Sequence, residues 1–175
     1  MSELLQLAEQ VLTRAREKNV SIITAESCTA GQLAALLSQA PGAADHLHGG
    51  FITYTKENKT KSLGVSAELL RRKGAVCREV AVAMAQGALT RSPADVAVAI
   101  TGVAGPEPDE DGNPVGLVCI AVAREGHEPF EFEHRYGNIG RKEVCARAMT
   151  DALTQLVAVI ETIPVRSLAP SFPLP

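Results

Sequence analysis

The chain has 175 residues, 46% of them hydrophobic, and a formal charge of −3. That length suits one domain with a single core, and the slight acidity leaves no basic footprint for nucleic acid. With no Trp, two Tyr and four Phe, a base-stacking platform is not expected either.

The opening stretch MSELLQLAEQ lacks a basic segment followed by an apolar one, so no secretory signal is expected. Leu4, Leu5, Leu7, Ala8, Val11, Leu12 and Ala15 share one helical face and predict an amphipathic helix. Val20 to Thr24 reads as a short buried strand, and Thr29 to Gln39 as a helix closed by the turn Pro41-Gly42. Gly50 to Tyr54 predicts a second strand. Thr55 to Leu63 predicts a short helix that Gly64 terminates. Ser66 caps the next helix, which ends at Gly74, and Glu79 to Leu89 predicts a longer one. Val96 to Thr101 is a continuous apolar strand of the fully buried kind. Leu117 to Ala123 and Phe130 to Tyr136 read as antiparallel neighbours across Gly126. Lys142 to Ile160 reads as a long amphipathic helix.

Alternating strands and helices predict an α/β fold: a three-layer α/β/α sandwich with a mixed, mostly parallel sheet in a single domain. Residues 1–162 form that domain, and 163–175 read as a proline-rich tail. No apolar run is long enough to span a bilayer. The cysteines, Cys28, Cys77, Cys119 and Cys145, are widely spaced with no C-x-x-C pair. That spacing argues against a zinc site or a disulfide framework and fits a reducing cytoplasm.

Buried strands of an α/β sheet deliver polar residues at their carboxyl ends, and three strand ends here carry suitable ones. The first is Glu26-Ser27-Cys28-Thr29-Ala30-Gly31. A serine at a strand-to-helix turn faces the free N–H groups of the helix start, which can hold a phosphate or an oxyanion. The same residues can equally be a helix cap. The second is Tyr54 followed by Lys56, Lys59 and Lys61. A serine nucleophile needs a base, and His46, His48, His127 and His134 all lie away from the strand ends. A lysine can serve where burial lowers its pKa, although any single lysine here can also be a solvated one. The third is Thr101-Gly102-Val103-Ala104-Gly105-Pro106, a glycine-rich turn that can form a second wall of a pocket. The acidic loop EPDEDGNPVG after it fails the calcium-loop pattern and reads as a solvated loop, a candidate lid.

Taken together, TAESCTAG, GGFITYTKENK, LGVSAELLRRKGAV, AVAITGVAGPEPDEDGNPVG and the late GRKEV resemble the C-terminal domain of the CinA competence/damage-inducible family. The resemblance runs from the first helix to about Ile160. It implies a cytoplasmic enzyme of pyridine nucleotide salvage that hydrolyses the carboxamide of nicotinamide mononucleotide to ammonia and nicotinate mononucleotide. It implies Ser27 as nucleophile, with Tyr54 and Lys59 as its catalytic partners. It also implies substrate contacts from Cys28, Thr29, Ala30, Gly31, Thr101, Gly102, Ala104, Gly105 and Arg141. Neither a metal nor a cofactor is implied, nor a nucleic-acid or membrane partner. A homo-oligomer, dimer or higher, is implied. The alternatives are a non-catalytic nucleotide-binding module and an amidase for another small carboxamide. The chain departs from the family's pattern in places: Ala30 replaces a glycine, Cys77 replaces a capping serine, Ile139-Gly140-Arg141 stands for Gly-Asp-Arg with one acid missing, and Lys56-Glu57-Asn58-Lys59 is more basic than usual.

Overall fold

The computed structural model describes residues 2–165. Five strands among them form one sheet: β1 (Ile22–Glu26), β2 (Leu47–Ile52), β3 (Val96–Gly102), β4 (Leu117–Arg124) and β5 (Phe130–Arg135). Their spatial order is β2-β1-β3-β4-β5. β1 pairs parallel with β2 and β3, whereas β4 pairs antiparallel with β3 and β5. Only β4 therefore runs against the other strands, as expected of a mixed, mostly parallel sheet.

Seven helices accompany the sheet among the described residues: α1 (Glu3–Lys18), α2 (Gln32–Ser38), α3 (Ala43–His46), α4 (Lys56–Leu63), α5 (Ala67–Lys73), α6 (Arg78–Thr90) and α7 (Arg141–Glu161). Ser2 caps α1 by accepting from the Leu5 amide, and Asn19 closes it in the left-handed conformation. Cys77 stands at the N-cap of α6 without a side-chain cap bond.

The strands sort their residues by size. Ile22, Val96, Val98, Ile100, Val118, Ile120 and Val122 face α1, α2 and α7 in one core. Ala25, Ala97, Ala99, Ala121 and Ala123 face α4, α5 and α6 in the other. β-Branched residues fill the wider layer, and the alanine face lets α6 approach the sheet closely. This gives the three-layer sandwich expected from the strand and helix pattern.

Several boundaries differ from the sequence reading, among them β2, which spans Leu47–Ile52 instead of Gly50 to Tyr54. β1 runs two residues further, to Glu26, because Thr24 and Glu26 are fully buried polar residues inside the sheet rather than a strand end. α2 begins at Gln32 instead of Thr29, after a tight loop. The short α3 was not anticipated; its four residues are too few to show a period. Of the expected tail, Ile163 still packs in the core and Val165 is exposed, while 166–175 lie outside the described residues. No described helix is long and apolar enough to cross a membrane.

Candidate active site

The carboxyl ends of β1, β2 and β3 lie in register, with Glu26 opposite both Ile52 and Ile100. The next residue of each chain segment continues the ladder. Ser27 N–H donates to the Ile100 carbonyl at 3.0 Å, and Thr53 N–H donates to the Glu26 carbonyl at 2.8 Å. Ser27 and Thr53 are thereby fixed side by side at the sheet's edge.

α4 starts just beyond. Thr55 caps it by accepting from the Asn58 amide at 3.1 Å, and the Asn58 side chain ties back to the Ile52 carbonyl. This entry aims Lys59 inward. Its side chain is fully buried, and Nζ donates to Ser27 Oγ at 2.8 Å and to the Thr53 carbonyl at 2.7 Å. The other lysines of α4 pair with acids: Lys56 with Glu110 and Asp111, and Lys61 with Glu57. Lys59 has no carboxylate within ion-pair distance among the described residues. Burial without a counter-charge lowers its pKa to about 8, opposed in small part by Cys28. About a tenth of Lys59 is then a neutral amine at pH 7, rising to half near pH 8, and that form is able to accept a proton from Ser27.

Tyr54 stands apart from this pair. Its side chain is half exposed, and its hydroxyl accepts from Arg141 Nη2 at 2.8 Å. Arg141 Nη1 donates to the Gly105 carbonyl at 2.9 Å. Arg141, at the start of α7, thus ties the β2 exit to the turn after β3. Gly105 makes that turn possible: its φ is +93°, and a Cβ there would lie 2.8 Å from Val115. Thr101 Oγ1 donates to the Ala75 carbonyl and holds the loop before α6 against the same edge.

These segments surround a cleft of about 530 Å³. Of the residues expected to contact substrate, Cys28, Thr101, Gly102, Ala104, Gly105 and Arg141 line it together with Ser27 and Tyr54. Thr29, Ala30 and Gly31 do not. The Thr29 hydroxyl and the Gly31 amide are turned onto Glu26, and Ala30 points to solvent. The amide of Cys28 on one wall, and those of Ala104 and Gly105 on the other, find no acceptor among the described residues. The acidic loop forms the outer wall. It is fastened there by Asp111, which accepts from Lys56 and from the Ala75 amide. No histidine lines the cleft, and no cluster of potential metal ligands occurs among the described residues. A larger hollow of about 970 Å³ lies at the opposite end of the sheet, beside Asp95, Arg124 and Val165, and contains none of these groups.

Ala30 adopts φ +48°, the left-handed conformation that a glycine accepts without strain. The adjacent cysteine is occupied in packing: Cys28 is buried, its carbonyl accepts from Cys145 Sγ at 3.6 Å, and contact with Cys145 together with burial pushes its thiol pKa well up. A thiol held protonated is a poor nucleophile.

Sequence reasoning missed Glu26 as an organiser. It expected the α2 start to offer free donors, yet those amides are taken. Glu26 is fully buried, and its carboxylate accepts from the amides of Gly31, Leu33 and Ala34 at 3.0, 3.1 and 2.9 Å. The readable signal was an acid at the end of a buried strand, ahead of a helix whose cap position is a glycine.

The chain matches the CinA C-terminal domain over residues 4–160. A relative in Caldicellulosiruptor saccharolyticus, named as a competence-damage inducible protein, is 42% identical over 152 residues, covering 86% of this chain and 37% of that protein. A CinA-like protein of Mycolicibacterium vanbaalenii is 54% identical over 106 residues, covering 61% of this chain and 25% of its own length. The chain therefore spans only about a quarter to a third of these curated relatives. Among solved structures, the competence/damage inducible protein CihA from Agrobacterium tumefaciens superposes with a TM-score of 0.87 at 40% identity, covering 91% of this chain and 96% of that one. A CinA superfamily protein from Escherichia coli gives 0.85 at 36% identity, covering 91% and 93%.

Proposed function

Because the chain belongs to the CinA C-terminal domain family, we propose that it hydrolyses the carboxamide of nicotinamide mononucleotide to nicotinate mononucleotide and ammonia. The observation that carries this reading is the buried contact between Lys59 Nζ and Ser27 Oγ at 2.8 Å. A general base within hydrogen-bond reach of a hydroxyl is what nucleophilic catalysis by serine requires, and a pKa of about 8 suits Lys59 to it.

Neutral Lys59 takes the Ser27 proton as Ser27 Oγ attacks the carboxamide carbon. The oxyanion is received by the unpaired amide of Cys28, a contribution of about 2.7–4 kcal/mol per donor. The C–N bond then breaks. Lys59, with Tyr54 at the mouth, returns the proton to the departing ammonia. Water attacks the acyl-serine, gives a proton to Lys59, and Ser27 leaves as the hydroxyl. The phosphate end of the substrate suits the amides of Ala104 and Gly105 with Arg141 beside them. A homo-oligomer, dimer or higher, belongs to the same reading and is checked by light scattering.

The test is ammonia release from nicotinamide mononucleotide. Ser27→Ala and Lys59→Ala should each abolish it while keeping the circular-dichroism spectrum of the parent. Full activity in either variant sinks the mechanism. Binding of the nucleotide by the parent protein without turnover would favour the non-catalytic module instead.

A further inference from the structure

Glu26 sits directly before the nucleophile and lies outside the chemistry proposed above. It is fully buried, yet no lysine or arginine pairs with it among the described residues. Its carboxylate is instead wrapped by the chain. Oε2 accepts from Thr29 Oγ1 at 2.6 Å and from the amides of Gly31 and Leu33. Oε1 accepts from Thr24 Oγ1 at 3.1 Å and from the amide of Ala34. The three amide donors, those of Gly31, Leu33 and Ala34, open α2, whose N-cap, Gly31, has no side chain of its own to serve them.

We propose that Glu26 is the positioning residue of the nucleophile: its carboxylate folds residues 27–34 around itself and so sets Ser27 Oγ within reach of Lys59. This role rests on Ser27 being the nucleophile. Three observations carry it. The loop closes tightly, with the Ala30 amide donating to the Ser27 carbonyl at 3.0 Å and Ala30 held at φ +48°. An alanine persists in that conformation only where its surroundings over-determine it, and the contacts to Glu26 from both sides of Ala30, at Thr29 and Gly31, supply the constraint. Second, the carboxylate consumes the amides of Gly31, Leu33 and Ala34 and leaves that of Cys28, which lines the cleft, unpaired. Third, the Glu26 carbonyl accepts from the Thr53 amide, and the Thr53 carbonyl accepts from Lys59 Nζ. One residue thus anchors both members of the pair.

Glu26→Gln tests the side chain with little change of shape. In either orientation the new NH₂ group meets at least one backbone N–H, that of Ala34 on one side or those of Gly31 and Leu33 on the other, and none of these can rotate away. The loop must open. Phosphonylation of Ser27 by a fluorophosphonate, which expels fluoride, is expected to slow about a hundredfold, the effect of a misplacement of about 1 Å. With active sites titrated by the same probe, kcat for ammonia release should fall while KM stays within about twofold; a merely structural role would lower the active fraction and the melting temperature but leave kcat per titrated site unchanged. Labelling by the folded variant as fast as the parent overturns the assignment. Should Glu26→Gln fail to fold, Thr29→Val removes only the 2.6 Å bond. It is expected to slow labelling about tenfold, and an unchanged rate overturns the assignment equally. A crystal structure of whichever variant folds separates this idea from the amidohydrolase reading. Ser27 Oγ displaced beyond hydrogen-bond reach of Lys59 supports positioning by Glu26 even if the parent releases no ammonia, and the bond retained at 2.8 Å overturns it whatever the substrate.

Discussion

Gly87 of α6 approaches α4 so closely that a methyl group on it would lie 2.0 Å from the Leu63 carbonyl oxygen. The neighbour is backbone, so it cannot swing aside. Leu63 is one turn beyond Lys59 on the same short helix, and the glycine contact sets how deeply α4 seats. Gly87→Ala gains up to about 1 kcal/mol of helix propensity but forces a repacking that costs about 1–3 kcal/mol. The expected result is a lower midpoint in urea and slower ammonia release with the nucleotide, since moving α4 moves the base. Unchanged stability and turnover would show that α4 is not seated by this contact.

Lys59 carries the pH dependence. If its neutral amine is the base, kcat/KM should rise as pH increases through about 8 and level off above. The same group acts on stability. Its folded pKa lies below its ordinary value of 10.5, so between about pH 8 and 10.5 the unfolded chain binds the proton that the native one has released. Stability from this group therefore rises with pH across that window and is lost as pH falls through about 8. Relative to Lys59→Met, which has no such proton, wild type should gain about 3 kcal/mol over the window. Parallel urea titrations at several pH values measure the difference. A gap that stays constant would mean that Lys59 is protonated throughout.

Much of this site could be read before any coordinates. The strand ends at Ser27, Tyr54 and Thr101 were legible because buried apolar runs such as Val96 to Thr101 stop abruptly at small or polar residues. Lys59 was separable from Lys56 and Lys61 only through resemblance, because helical spacing leaves Lys56 and Lys59 on one face; the structure distinguishes them by the acids that Lys56 meets on a distant loop. The Tyr54–Arg141 bond joins residues 87 positions apart in sequence, and nothing local announces it. Glu26 was hidden for the opposite reason: a carboxylate inside a sheet contradicts the usual burial rule, and only the loop wrapped around it explains its place.

Ala30 is a site for stabilisation. Its φ of +48° strains an L-residue by about 1–2 kcal/mol. Ala30→Gly relieves that strain but gives the unfolded chain more freedom, which offsets about 0.4–1 kcal/mol. A net gain of about 0.5–1 kcal/mol in urea unfolding is expected. The exposed methyl touches nothing in the cleft, so KM for the nucleotide should stay within about twofold. A loss of stability would show that the loop needs the alanine's stiffness more than it suffers from the strain.

Arg141 divides its guanidinium between the Tyr54 hydroxyl and the Gly105 carbonyl, a fork that a lysine ammonium cannot reproduce. Its role can be assigned by substrate choice. If Arg141 receives the phosphate, Arg141→Lys should raise KM for nicotinamide mononucleotide about tenfold, the size of one charge-assisted hydrogen bond. KM for the corresponding nucleoside, which lacks the phosphate, should hardly change. If Arg141 instead serves only to hold Tyr54 over the cleft, both substrates should lose kcat together and the KM ratio should stay fixed. Steady-state kinetics on the pair of substrates separates the two. The phosphate role is the stronger expectation, because Arg141 lies beside the unpaired amides of Ala104 and Gly105, and an anion held there completes donors that the fold itself leaves open.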